Sequence, residues 1–123
     1  MPILDVEIVL RPGESLNRGL AAELADRTGQ VFGSPAGTTW VKVKAIPHEG
    51  YAENGGGPPE NVHPVFVSVL IWKLPSPEAM QAEVAGLTEA VSRACGCSPE
   101  HVHIQYLPEG AGRVAFGGLV AAV

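Results

Sequence analysis

Pro2-Ile3-Leu4-Asp5-Val6-Glu7-Ile8-Val9-Leu10 and Pro64-Val65-Phe66-Val67-Ser68-Val69-Leu70-Ile71-Trp72 are apolar segments of equal length, each opening on proline and set 62 residues apart. Each reads as a strand, and a helical pattern follows each. In the first copy the spacing predicts a helix from near Glu14 to Gly33, with Leu16, Leu20, Leu24 and Val31 on one stripe. In the second, Ser76 is a ready N-cap with Pro77 in the first turn. Met80, Val84, Leu87, Val91 and Cys95 then recur at helical spacing up to a stop at Gly96. Both copies close on an alternating strand, Val41, Val43 and Ala45 in one and Val102, Ile104 and Tyr106 in the other. Each strand then meets a proline, Pro47 or Pro108, 61 residues apart. The register therefore holds to within a residue or two. Residues 1–123 read as a single domain of two pseudo-repeats, 2–46 and 64–107, joined by the loop 47–63.

A strand, a crossover helix and a second strand make a parallel pair with a right-handed connection. Two such units predict an α+β fold, an α/β sandwich in which a four-stranded mixed sheet carries both helices on one face. The other face is left bare. Along the strand from Val65, the residues Val65, Val67, Val69 and Ile71 point one way and Phe66, Leu70 and Trp72 the other, so both faces read as apolar. Large exposed apolar patches are rare on monomers, which predicts that the bare face packs against further copies of the chain.

Composition removes several function classes. A chain of 123 residues with 46% hydrophobic and 17% charged residues suits one modest core. A net charge of −5, with no basic run, argues against a nucleic-acid partner. No apolar run is long enough to span a bilayer, and no basic region leads into a signal core, so a cytoplasmic protein is expected. Cys95 and Cys97 lack a second cysteine pair and read as buried, reduced thiols. His101 and His103 could sit side by side, but no third ligand stands at useful spacing, so neither metal nor cofactor is expected.

Pro2 carries the chemical interest. If Met1 is removed, Pro2 becomes the N-terminal residue with a secondary amine, whose pKa falls toward neutrality when burial and nearby cations disfavour its charged form. The same Met-Pro pair also begins chains that have no such chemistry. Pro64, its counterpart, is internal and acylated, so the duplication supports at most one such site per chain. Tyr51, Glu53 and Asn54 in the Gly- and Pro-rich loop 47–63 either line a site mouth or belong to a simple linker. The apolar tail from Val114-Ala115-Phe116 to Val123 suits a strand or hairpin, added to a neighbour's sheet or packed within the chain.

Thr88-Glu89-Ala90-Val91-Ser92-Arg93, Gly96, Pro99-Glu100 and Val102-His103-Ile104 resemble the helix end and second strand of 4-oxalocrotonate tautomerase, and Gly117-Gly118 its terminal glycines. The first copy is similar more loosely, through Pro2, the helix from Leu20 to Val31, Pro35, Val41-Lys42-Val43 and Gly55-Gly56-Gly57. Over about residues 2–118 the chain thus resembles the tautomerase superfamily, which includes macrophage migration inhibitory factor and the 3-chloroacrylic acid dehalogenases, and in length its fused two-unit members. The resemblance implies a homotrimer in which Pro2 is the general base for keto-enol proton transfer on a small unsaturated or 2-keto acid. It implies a site of Pro2 with the substrate-binding residues Arg11, Lys73, Lys42, His103, Tyr51 and Phe116. Two departures accompany it. Pro12 and Leu74 stand where the family's first arginine is expected, leaving Arg11 and Lys73 one residue away, while Lys42 and His103 stand at the second arginine's place. Phe116, with Gly55 in the first copy, stands where the dehalogenases carry a water-activating acid, which disfavours hydrolytic dehalogenation. Other readings on the same scaffold are a non-catalytic trimeric binding protein, or a hydratase or decarboxylase with protonated Pro2 as acid.

Overall fold

In a computed structural model describing residues 1–123, β1 (Ile3–Leu10), α1 (Leu20–Phe32) and β2 (Trp40–Pro47) form the first unit, and β3 (Val65–Leu70), α2 (Pro77–Cys95) and β4 (Val102–Tyr106) the second. The sheet order is β2-β1-β3-β4. Each unit is internally parallel, and the two meet at an antiparallel β1–β3 seam in which Ile3 faces Leu70 and Ile8 faces Val65. The seam fixes which ends of the strands are neighbours. Pro2, at the start of β1, lies beside the end of β3, whereas Pro64 lies beside the end of β1.

Alternation puts Leu4, Val6 and Ile8 of β1 and Val65, Val67 and Val69 of β3 on one face, where they form the core with Leu20 and Leu24 of α1 and Leu87 and Val91 of α2. Leu24 and Leu87, matching positions of the two copies, are both fully buried. The helices pack closely at Gly86, where an added Cβ would stand 3.1 Å from Cγ1 of Val31. Thr28 is also fully buried, and its hydroxyl donates to the Leu24 carbonyl at 2.7 Å, which satisfies a polar group that burial would otherwise penalise.

The second helix begins and ends as its sequence predicts. The Ser76 hydroxyl accepts the Ala79 N–H at 3.3 Å, and Gly96 closes the helix with φ 67°. The first helix is shorter than expected, starting at Leu20 rather than near Glu14. Gly13 and Gly19 take φ of 81° and 89°, in the left-handed region, and the Glu14 carboxylate accepts the Arg11 N–H at 2.6 Å, so the segment between them turns instead of coiling. Leu16 still packs on the core from this turn.

A second correction concerns the face away from the helices. It carries Asp5 and Glu7 of β1, Lys42 and Lys44 of β2, Ser68 of β3, and His103 and Gln105 of β4, among the apolar Ile3, Phe66 and Leu70. Only β3 reads as apolar on both sides. Of the exposed large apolar residues, Trp40 shares this face beside Ile3, while Trp72, Leu74, Leu119, Val120 and Val123 lie outside the four-stranded sheet. Trp40 pairs with Ile3 at the head of β1, and Trp72 follows the end of β3, so both mark the Pro2 end of the sheet.

The tail forms a hairpin, β5 (Ala115–Phe116) and β6 (Leu119–Val120), turning at Gly117 and Gly118, both with positive φ. It is tied to its own chain: the Trp72 indole N–H donates to the Ala122 carbonyl, and the Gly112 N–H to the Ala121 carbonyl at 2.8 Å. Leu119, Val120 and Val123 nonetheless remain 77%, 64% and 88% exposed, so the hairpin leaves apolar surface uncovered. No helix is long and apolar enough to cross a membrane.

Candidate active site at the head of the first strand

Pro2 is buried, and its carbonyl accepts the Trp40 N–H at 3.0 Å, extending the β1–β2 pairing to the first residue of the unit. Met1 still acylates the Pro2 nitrogen, which is therefore an amide without a basic lone pair. Around it stand residues from three segments. Trp40 makes an edge-to-face contact with Phe116 of the hairpin, ring centroids 5.5 Å apart. The segment after β4 runs on beside β3, the Leu107 N–H donating to the Val69 carbonyl at 2.9 Å and the Gly110 N–H to the Ile71 carbonyl at 2.9 Å. Gly110 is buried against Met1: a Cβ there would lie 2.9 Å from the thioether sulfur, 3.2 Å from its methyl and 3.2 Å from Cγ2 of Val114.

Lys73 follows the end of β3 and so belongs to this same end of the sheet, exposed and without an ion pair. Two polar groups here had no sequence signal. The Glu109 carboxylate accepts the Leu74 N–H at 2.7 Å, and the Arg113 guanidinium folds back on the Glu109 carbonyl, 2.9 Å from Nε. Neither falls in a periodic element, so only the three-dimensional course of residues 107–114 reveals them.

The remaining sequence-predicted residues lie apart from Pro2 within one chain. Arg11 is beyond the far end of β1, about 30 Å along a strand that rises about 3.3 Å per residue. Its guanidinium donates to the Pro58 carbonyl at 3.2 Å and the Pro59 carbonyl at 2.7 Å, fastening the inter-repeat loop, and its Nε is buried without a partner. Lys42 is on the open face of β2, 3.2 Å from the Asp5 carboxylate opposite it. His103 makes a tilted ring contact with Phe66, centroids 5.3 Å apart, and the Tyr51 ring also lies against Phe66 at 5.6 Å. The Tyr51 hydroxyl donates to Glu53 at 2.7 Å, and that bond to a carboxylate raises its pKa above the ordinary phenol value.

A hollow of about 570 Å³ lies at the opposite, Pro64 end, among Leu10, Glu14, His63, Cys95, Cys97 and His101. His63 Nε2 sits 2.9 Å from one Glu14 carboxylate oxygen and 3.0 Å from the other. The Arg11 backbone N–H is the leading cause that lowers the Glu14 pKa, with His63 adding to it. Burial pushes the Cys95 thiol up to about 12 and raises Cys97 as well, so both are poor nucleophiles near neutral pH. His101 lines this hollow while His103 lies on the open sheet face, so the two imidazoles do not converge.

No protein-family model and no curated protein match the sequence. Solved structures do match in shape. A fused 4-OT, described as a wild-type symmetric trimer, superposes with a TM-score of 0.73 at 20% identity, over 97% of this chain and 95% of that one. The chain has the tautomerase-superfamily fold. Macrophage migration inhibitory factor from Oncomelania hupensis gives 0.73 at 16% identity, over 98% and 83% of the two chains. A malonate semialdehyde decarboxylase, described with decarboxylase and hydratase activities, gives 0.65 at 22% over 91% and 89%. With the fused 4-OT the match runs nearly end to end on both chains, so both β-α-β units and the loop between them fall within it.

Proposed function

We propose that the chain is a cytoplasmic, homotrimeric tautomerase in which Pro2, freed by removal of Met1, is the general base for keto-enol proton transfer on a small unsaturated or 2-keto acid. The observation that carries the reading is a buried Pro2 at the head of the central strand pair, hydrogen-bonded to Trp40, whose ring meets Phe116, with the unpaired cation Lys73 at the same end of the sheet. In support, structures of this fold include a fused 4-OT described as a symmetric trimer and a malonate semialdehyde decarboxylase described with decarboxylase and hydratase activities.

The chemistry needs little machinery. The Pro2 lone pair takes the proton from the carbon next to the carbonyl, and the C–H electron pair becomes the enol double bond. The proton then returns from the prolinium to the other end of the conjugated system. Lys73 stabilises the negative charge that develops on the substrate oxygen, and Trp40 and Phe116 exclude water, which strengthens that attraction. Lysine attracts a carboxylate or enolate as a point charge without arginine's two-pronged geometry, so binding is looser than an arginine would give.

Arg11, Lys42, His103 and Tyr51 join such a site only from a neighbouring copy. The exposed apolar residues at the Pro2 end, Trp40, Trp72, Leu74 and the hairpin's Leu119 and Val120, supply surface for that assembly beside the open sheet face.

The test pairs an intact-mass measurement with assays of 2-hydroxymuconate and phenylenolpyruvate ketonisation. Loss of Met1 together with turnover is expected. Retained Met1 with no turnover contradicts the proposal and leaves the non-catalytic scaffold.

A further inference from the structure

The Met1 side chain marks a space that the processed chain leaves empty. Its backbone carbonyl carbon is bonded to the Pro2 nitrogen, and from there the side chain runs to Gly110, with the sulfur and terminal methyl lying against that glycine and Val114 behind. The φ of Gly110 is not in the left-handed region, so its backbone conformation does not call for glycine. What calls for glycine is room. A Cβ would enter the volume that the thioether fills and would also stand 3.2 Å from Cγ2 of Val114.

We propose that this slot between Gly110 and Val114 is, once Met1 is gone, the subsite for the hydrocarbon end of the substrate, and that Gly110 sets which substrates enter. The inference rests on the reading of Pro2 as the base. Met1 is a covalent stand-in for the bound ligand: its acyl carbon marks where a reacting carbon approaches the amine, and its side chain marks the path of the rest. A near-attack geometry places that reacting carbon about 3–3.5 Å from the nitrogen, farther out than the acyl carbon, which is bonded at about 1.33 Å, and so within the space the Met1 residue occupies. The slot is apolar, unbranched and as long as a methionine side chain. It fits a linear 2-hydroxydienoate or 2-keto acid and not an aryl ring, and the carboxylate is left on the open side with Lys73.

The processed chain is tested with linear 2-hydroxy-2,4-dienoates and with phenylenolpyruvate, beside Gly110→Ala and Val114→Ala. Pro2 is titrated separately with 3-bromopropiolate, an electrophilic acid too short to enter the slot. The wild type is expected to favour the linear substrates. Gly110→Ala is expected to raise KM for them by about 10- to 200-fold, the usual range for filling a fitted apolar pocket, while Pro2 labelling keeps its rate. Val114→Ala is expected to move the preference toward longer chains. Equal loss of labelling and turnover in Gly110→Ala, or unchanged turnover, overturns the subsite while leaving Pro2 as the base. A wild type that is neither labelled nor active overturns the Pro2 reading and the subsite with it.

Discussion

The two ends of the sheet are built by the same unit, yet they finish differently. At one end Pro2 stands at the head of β1 beside Trp40, with Phe116 against that ring, Gly110 against Met1, and Lys73 and exposed apolar surface at the same end of the sheet. At the other, Pro64 is held inside the chain, its carbonyl accepting the Val9 N–H at 3.0 Å. Arg11, just past the end of β1 on that side, is occupied in fastening the loop at Pro58 and Pro59. The two β-α-β units offer two matching proline positions, and only one can become an amine. The other is free to serve architecture: the polar pair of Glu14 and His63, the loop clasp and the poorly reactive thiols all gather there.

Substituting each proline breaks the comparison most sharply. Pro2→Ala keeps a removable Met1 but exchanges a secondary for a primary amine, and is expected to lower kcat/KM by about 10²- to 10⁴-fold, the usual worth of a positioned base. Pro64→Ala should leave kcat within a few fold. Equal losses from the two would mean that both prolines matter for folding alone.

In the core the two copies should instead behave alike. Leu24→Ala and Leu87→Ala each remove a fully buried side chain, and each is expected to cost about 2–5 kcal/mol in denaturant unfolding. A cost confined to one of them would show that one helix is dispensable to the sandwich.

Lys73→Ala is expected to reduce kcat/KM about tenfold, mostly through KM, with Lys73→Arg restoring or improving it. Arg11→Ala should loosen the loop and leave KM nearly unchanged, unless Arg11 of a neighbouring copy reaches the site. Comparing the two variants in the assembled protein decides that point.

The smallest effect concerns the Pro64 end. Cys95, with its pKa raised to about 12, should react with iodoacetamide at pH 8 far more slowly than a free thiol until the protein unfolds. The sign follows from desolvation. The folded state holds the thiol proton more tightly than the unfolded one, so this contribution to stability is complete below the ordinary thiol pKa and is lost as pH rises from about 9 toward about 12.

Much of this was legible in the residues. Proline-led apolar runs, helix stripes and alternating strands are local patterns, and they located the four main strands and both helices. The Ser76 cap and the Gly96 stop were legible for the same reason. The start of α1 was not, because Leu16 and Leu20 keep helical spacing across a segment whose glycines turn the backbone. The open face was misread because one strand, β3, stood for a surface that four strands share, and its partners contribute Asp5, Glu7, Lys42, Lys44 and His103. Gly110, Glu109 and Arg113 lie in irregular chain where position is set by tertiary contact. Nothing periodic marks them.

The central claim is that a free Pro2 amine is the reactive group. It is tested most directly by treating the protein with 3-bromopropiolate and locating the adduct by intact mass and peptide mapping. One adduct per chain on Pro2, in protein lacking Met1 and with activity lost in proportion, is the predicted result. Turnover by protein that retains Met1, or inactivation with the adduct on any other residue, would contradict it.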